Sequence, residues 1–315
     1  FTIDSSAEGK EIRIDFGGVY MDSTVWVNGQ QVGSHPYGYT PFSFDITDYV
    51  NYGGDNVITV RVNHQTPSSR WYSGSGIYRN VNLLVGARIH IPAEGVKITT
   101  PSVSEESSTV EIAATVKNLL RNKEKVTVET VISHDGEVVG KDVVGVTMYG
   151  EAEETVRQTI CLEKARLWST DDPFLYECVV TVYAGEEKLD ETHETFGIRK
   201  LELDAEHGLR INGKQVKLRG TCIHHDNGII GATTLEKAEE RRCRQMKEAG
   251  FNSIRSAHHP MSKAMLDACD KYGILVMDEL TDMWTNHKNP NDFALHFLDT
   301  METEIKRMVA KDYNH

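Results

Sequence analysis

The stretch Asn252-Ser253-Ile254-Arg255-Ser256-Ala257-His258-His259-Pro260 opens on a short strand-like run and closes on a knot of cationic and imidazole side chains. Farther on, Asp270-Lys271-Tyr272-Gly273-Ile274-Leu275-Val276-Met277 passes from a helix end through a glycine stop into a nearly all-apolar strand, Ile274 to Asp278, with Glu279 next. A helix from Ser262 to Tyr272, with Met265, Leu266 and Cys269 inward, fits between them. Strands buried on both faces need such apolar content, and strand–helix–strand alternation builds parallel βα units. Working back, a strand from Val216 to Cys222 follows a hairpin at Asn212-Gly213. A helix then runs from Thr234 to Ala249, with Thr233 and Glu236 at capping-box spacing and Gly250 as its stop. Working forward, a helix from Asp292 to Lys311 places Phe293, Phe297, Met301, Ile305 and Met308 on one side. Three such units fall well short of the eight units and roughly 250 residues of a closed barrel. Residues 199–315 therefore read as the first part of an incomplete (β/α)8 TIM barrel, with an apolar sheet edge that needs cover.

Upstream the pattern is all β. Residues 92–198 carry strands from Thr109 to Val116, Val126 to Ser133 and Cys178 to Tyr183, with turns such as His134-Asp135-Gly136 between them, as in an immunoglobulin-like β-sandwich. Residues 1–91 alternate over Glu11 to Phe16, Thr24 to Val27 and Asn56 to Val62. Asn28-Gly29 there accepts the positive φ angles of a type I′ turn. That reads as a jelly-roll-like β-sandwich entered part-way. The five cysteines are scattered and odd in number, without CxxC spacing, so buried thiols are expected in place of a disulfide framework.

A net charge of -13 repels phosphate backbones and argues against nucleic acid as a partner. No apolar run approaches the roughly 18 residues of a membrane span, so no membrane partner is expected. Phe1 to Asp4 reads as strand, not signal peptide, which leaves cytoplasmic and secreted locations both open.

In a barrel of this type working groups follow the strands. Strand one leads to His224-His225-Asp226, strand two to Arg255 and His258-His259, and strand three to Asp278-Glu279, Asp282 and Trp284. Such a mouth suits a polar substrate laid on an aromatic face, with Trp284 supplying the face. Asp278 reads equally as a tie between neighbouring loops, and Trp284 has ordinary packing as its plainer reading. His225 and His259 read as structural. Gly74-Ser75-Gly76 lacks a third glycine and a following helix, so it is no phosphate loop.

The quoted stretch resembles the signature of glycoside hydrolase family 2, the β-galactosidase and β-glucuronidase type, whose usual form is Asn-x-x-Arg-x-x-His-Tyr-Pro. His259 stands where tyrosine is usual. Arg219-Gly220 ahead of His224 also resembles the family's first barrel strand. Arg70-Trp71-Tyr72-Ser73-Gly74-Ser75-Gly76-Ile77-Tyr78-Arg79 is similar to a motif in its sugar-binding jelly roll. The resemblance covers essentially the whole chain. It implies retaining hydrolysis of a terminal β-glycoside, a β-galactoside first, by one glutamic acid as acid/base and another as nucleophile. It implies that neither lies in this chain, because the acid/base follows strand four, after Asp312-Tyr313-Asn314-His315. The chain alone is accordingly expected to be inactive, and Glu279 is not promoted to a catalytic role.

By the motif match Arg255 supports the nucleophile, and His258 and His224 bond sugar hydroxyls. Arg70 and Trp71 read as hairpin-to-hairpin packing in preference to a loop lent to the sugar pocket. The implied partner is a carbohydrate substrate, with no cofactor and no metal, and with a homo-oligomer left open. Two rivals stand beside this reading. One is a non-catalytic carbohydrate-binding or scaffold module. The other is a metal-dependent hydrolase barrel built on the paired histidines, which adjacent residues at a strand end oppose by pointing to opposite sides.

Overall fold

The computed structural model describes residues 1–315. Two-residue turns recur where strands double back, at Asn28-Gly29 (φ 49° and 82°), Asp135-Gly136 (47° and 81°) and Asn212-Gly213 (52° and 77°). Positive φ at both positions is the type I′ geometry whose twist matches the flanking strands. The first of these hairpins lies in a jelly-roll-like sandwich, the second in the sandwich that follows and the third ahead of the barrel strands. In the jelly roll one antiparallel sheet runs Val81–Gly86, Glu11–Phe16, Phe42–Asp45, and the other runs Gln30–His35, Ser23–Val27, Ile58–Val62. Alternation sends Ile12, Ile14 and Phe16 inward from one sheet and Val25 and Val27 from the other, and the Phe16 and Phe42 rings stack at 4.9 Å.

The immunoglobulin-like sandwich follows. Strand Ser107–Asn118 pairs with Ile89–His90, Val96–Ser102 and Glu153–Glu163, and the opposite sheet is ordered Glu137–Met148, Glu124–His134, Tyr176–Ala184, Glu187–Phe196. Its core of 22 buried residues is the largest in the molecule and needs no cross-sheet bridge; Cys178 is buried in it as a free thiol, whereas Cys161 is exposed. Thr130 donates to Gln158 Oε1 at 2.6 Å across the two sheets, so the buried polar pair is satisfied.

Three parallel strands, Gly220–Ile223, Ser253–Ser256 and Leu275–Met277, then begin a partial TIM barrel. Local expectations and structure diverge in three places. The first helix is Glu236–Glu248 with Leu235 as its N-cap and no side-chain cap, so the Thr233–Glu236 capping box does not form. The Thr233 N–H that the box would use goes to the Ile230 carbonyl at 3.4 Å, and the next N–H, of Thr234, to the Tyr78 carbonyl of the jelly roll at 2.8 Å. The third strand stops at Met277, which is 60% exposed, because this strand has a neighbour on one side only. The third helix is broken into a single turn, Phe293–Leu295, and a longer segment, Phe297–Asp312. Asp292, fully buried, caps the single turn by accepting the Ala294 N–H and ties down the preceding loop through the N–H groups of Lys288 and Asn289, and the break itself falls at His296. Met301 and Ile305 on the longer segment are half-exposed in place of buried. The second helix, Lys263–Tyr272, is regular: Ser262 caps it by accepting from the Met265 N–H, and Gly273 ends it at φ 70°.

Trp168 joins the sandwich to the barrel. It is 2% exposed, its indole N–H donates to the Asp270 carbonyl at 2.9 Å, and the Arg199 guanidinium lies 4.7 Å over its ring. Gly197 leaves room for it, since a Cβ there would sit 2.6 Å from the Trp168 side chain. Trp168→Ala should cost about 3–5 kcal/mol, the usual range for deleting a buried aromatic. Urea unfolding should show the barrel segment melting apart from the sandwich, which barrel-specific hydrogen exchange would detect.

Candidate functional site

Parallel register places Cys222, Arg255 and Met277 in one row across the three strands, so they project the same way. Arg255 therefore turns its guanidinium to the open side. Its Nε donates to Glu279 Oε1, its Nη2 lies 3.2 Å from Glu279 Oε2, and its Nη1 is 3.7 Å from the Cys222 sulfur. Glu279 first, and then Cys222, hold the guanidinium above its ordinary pKa. His258 completes the group, with Nδ1 2.9 Å from Glu279 Oε2 and 3.0 Å from Arg255 Nη2. A carboxylate only accepts, which assigns the Nδ1 proton of His258 to the Glu279 bond.

His224 is fixed from two sides. Its Nδ1 meets the Ala257 carbonyl at 2.6 Å, and its ring lies against Trp71 with centroids 5.2 Å apart and planes 17° from parallel. Trp71 also meets His258 edge-on at 5.3 Å. It comes from a jelly-roll loop, and here the plainer reading of Arg70 and Trp71 as hairpin packing is corrected. Neither residue lies in a sheet. Arg70 pairs with Asp282, and the Asn291 N–H donates to the Pro67 carbonyl at 3.2 Å, so the loop is pinned onto the barrel mouth. The partners are more than 150 positions apart in sequence, and no local periodicity could announce them. The one available signal was an arginine and two aromatics in a serine- and glycine-rich loop.

The remaining imidazoles face the other way, as alternation at a strand end requires. His259 stacks on Tyr39 with centroids 3.8 Å apart and planes 4° from parallel, and Tyr37 Oη is 3.0 Å from its Nδ1. His225 lies beside Tyr39 at 5.0 Å. Arg79 bridges the layer, donating to the Tyr39 and Pro260 carbonyls at 2.7 and 2.9 Å. Burial pushes both imidazoles well below the ordinary histidine pKa, for His225 with help from Arg79 and for His259 against an opposing pull from Asp282. The four imidazoles thus form two sets and do not converge on one point.

A cavity of about 1050 Å³ opens at this mouth, lined by Arg255, Glu279, Asp282, Trp284, Phe297 and Ile305 among others. It is roomy enough for more than one sugar ring. Trp284 donates its indole N–H to the Thr281 carbonyl at 2.8 Å and leaves its ring 64% exposed. Asp278 is the candidate turned away. Its carboxylate accepts the Met261 N–H at 3.1 and 3.2 Å and lies 3.8 Å from Lys311, which makes it a loop tie. Burial raises its pKa to about 7.

The neutral histidine pair sets a pH dependence. The unfolded chain takes up protons near pH 6.5, whereas folded His225 and His259 resist until well below it. Stability contributed by the pair is present above about pH 6.5 and declines as pH falls below it. Urea midpoints should drop between pH 7 and pH 5, and the drop should be shallower in His259→Tyr.

Profiles of one family cover the chain in order: glycosyl hydrolases family 2, sugar binding domain, over residues 1–86; glycosyl hydrolases family 2 over 89–199; and glycosyl hydrolases family 2, TIM barrel domain, over 203–315. A β-galactosidase of Bacteroides ovatus, BoGH2A, is 41% identical over all of this chain and 37% of its own length. A putative β-glucuronidase of Formosa agariphila is 33% identical over all of this chain and 30% of its own. The solved structure of a glycosyl hydrolase family 2 member from Bacteroides cellulosilyticus superposes with a TM-score of 0.98 at 39% identity, covering all of this chain and 41% of that one. The chain thus spans well under half the length of these relatives.

Proposed function

The chain belongs to glycosyl hydrolases family 2, and from that premise we propose that it serves the hydrolysis of terminal β-glycosides, β-galactosides first, by retaining double displacement. In this reading residues 1–315 supply the substrate-positioning wall, and both catalytic glutamates lie outside them. The observation that carries it is the group Arg255, His258 and Glu279 beside a large cavity that Arg255, Glu279 and Trp284 line.

Each residue then has a task. Arg255, held through Nε and Nη2 by Glu279, directs the donors that remain on its Nη atoms toward the carboxylate that attacks the anomeric carbon. His258 and His224, each with one ring nitrogen engaged by protein, offer the other to sugar hydroxyls. Trp284 takes the apolar face of the ring. Glu279 receives Arg255 on both oxygens and His258 on one, an arrangement that suits a positioning group. The supplied acid protonates the glycosidic oxygen as the supplied nucleophile bonds the anomeric carbon. Water, deprotonated by the residue that gave up its proton in the first step, then attacks the anomeric carbon and frees the nucleophile.

Two considerations favour a neutral sugar over a uronate. The relative sharing 41% of residues is a β-galactosidase. The cations near the cavity are also already committed, Arg70 and Lys288 to Asp282 and Arg255 to Glu279. Chromogenic substrates test the proposal. The full-length protein should cleave a β-galactoside faster than a β-glucuronide, and residues 1–315 alone should cleave neither. Arg255→Lys in the full-length protein should lower kcat/KM by about 100-fold or more. Activity in residues 1–315 alone would return Glu279 to the catalytic candidates, and an inactive full-length protein would favour a carbohydrate-binding module.

A further inference from the structure

Two of the five cysteines meet. Cys243, on the helix Glu236–Glu248, and Cys269, on the helix Lys263–Tyr272, bring their sulfurs to 3.9 Å. Both are free thiols, buried to 0% and 1% exposure in an apolar cluster with Ile254, Met265, Leu266 and Ile274. A buried cysteine alone is ordinary packing, since the thiol behaves as a small apolar group. The direct contact of two sulfurs sets this pair apart. Cys161 and Cys178 lie on strands of the immunoglobulin-like sandwich, and Cys222 turns with Arg255 to the open side of the barrel sheet.

The helices are anchored where the sulfurs face each other. Glu240, one turn before Cys243, accepts Lys271 Nζ at 2.6 Å and the Tyr272 hydroxyl at 3.4 Å. The Ile274 N–H donates to the Cys269 carbonyl at 2.9 Å and fixes the end of the second helix. Shortening the 3.9 Å separation to a disulfide of about 2.05 Å is within reach of side-chain rotation and a small closure of the helices.

Positions 243 and 269 bracket the strand Ser253–Ser256. A bond between them closes a ring that contains Arg255, His258 and the Ser262 cap, so the strand bearing the candidate site is held from both flanking helices. Such a ring stabilises mainly by restricting the unfolded chain. The Cys243 contact first, and burial after it, push the Cys269 thiol well above its ordinary pKa. The thiolate is the attacking species, so the pair is inert while the helices are packed and reactive when they part.

We propose that Cys243 and Cys269 form a covalent modification site, oxidised to a disulfide that ties the first barrel helix to the second around the Arg255 strand. The oxidant is another disulfide. One cysteine thiolate attacks a sulfur of that disulfide, forming a mixed disulfide and expelling a thiolate. The second cysteine thiolate attacks the protein sulfur of the mixed bond and expels the other. The two cysteines lose two electrons, the oxidant gains them, and the two cysteine protons end on the thiols released. This proposal does not depend on the glycoside reading.

Treating the reduced chain with glutathione disulfide in urea below the unfolding midpoint, then mapping its peptides without reduction, tests it. The map should show peptides joined through Cys243 and Cys269, and two of the five thiols should be lost to titration. The oxidised chain should melt about 5 °C above the reduced one, and dithiothreitol should abolish the difference. Cys243→Ala and Cys269→Ala should each lose the rise on oxidation, whereas Cys161→Ser should keep it. Five free thiols after treatment, linkage of the pair chiefly to other cysteines or to glutathione, or a lower melting temperature on oxidation would overturn the proposal. The map of the unaltered chain decides the case where a variant does not fold.

Discussion

Tyr39 lies flat on His259, and around that contact the jelly roll closes on the barrel. Three parallel strands end in loops rich in polar groups, and nothing in those strands alone would hold the loops in place. The jelly roll does so with a layer that combines apolar area and directed bonds: Tyr37 to His259 and to the Leu280 carbonyl, and Arg79 to the carbonyls of Tyr39 and Pro260. A second clamp sits further along, where Glu304 of the third helix receives His35 and Thr40 from the jelly roll. Burial alone would raise the Glu304 pKa, yet the bonds from His35 and Thr40 and the charge of Arg307 carry it below the ordinary value. The site geometry depends on this docking, because the same two histidine pairs supply one ring each to the junction and one each to the mouth.

The sandwich between them has a different task. Its large apolar core makes it a rigid spacer, and Trp168 transmits that rigidity to the second barrel helix. Gly273, at the end of that helix, is held to glycine twice over. Its φ is 70°, and a Cβ would lie 2.3 Å from the Thr170 carbonyl. A left-handed helix stop and a close interdomain approach thus coincide at one residue.

Much of this was legible in the sequence because its causes are local. Paired positive-φ turns, two-residue alternation and the Ser262 cap with its Gly273 stop each depend on neighbours within a few positions. Strand-end logic likewise brought Arg255, His258, His224 and Trp284 to one mouth. The failures share one cause, that a distant partner outweighed a local preference. At the start of the first helix the Thr234 N–H goes to the Tyr78 carbonyl of the jelly roll. Asp278 turned to the Met261 amide, and Trp71 left the jelly roll for the histidines. In each case the deciding atom belongs to another part of the fold.

The contact of Arg70 with Asp282, and of Trp71 with His224, bears on how such proteins diversify. The backbone offers convenient joints between its domains, and an exchange of modules at those joints would preserve every core. It would not preserve the mouth, whose surface is woven from both sides of the joint. A jelly roll imported from a cousin would bring its own residue opposite Asp282 and its own ring against His224. A change at 70 or 71 is therefore felt at 282 or 224, on the far side of the joint.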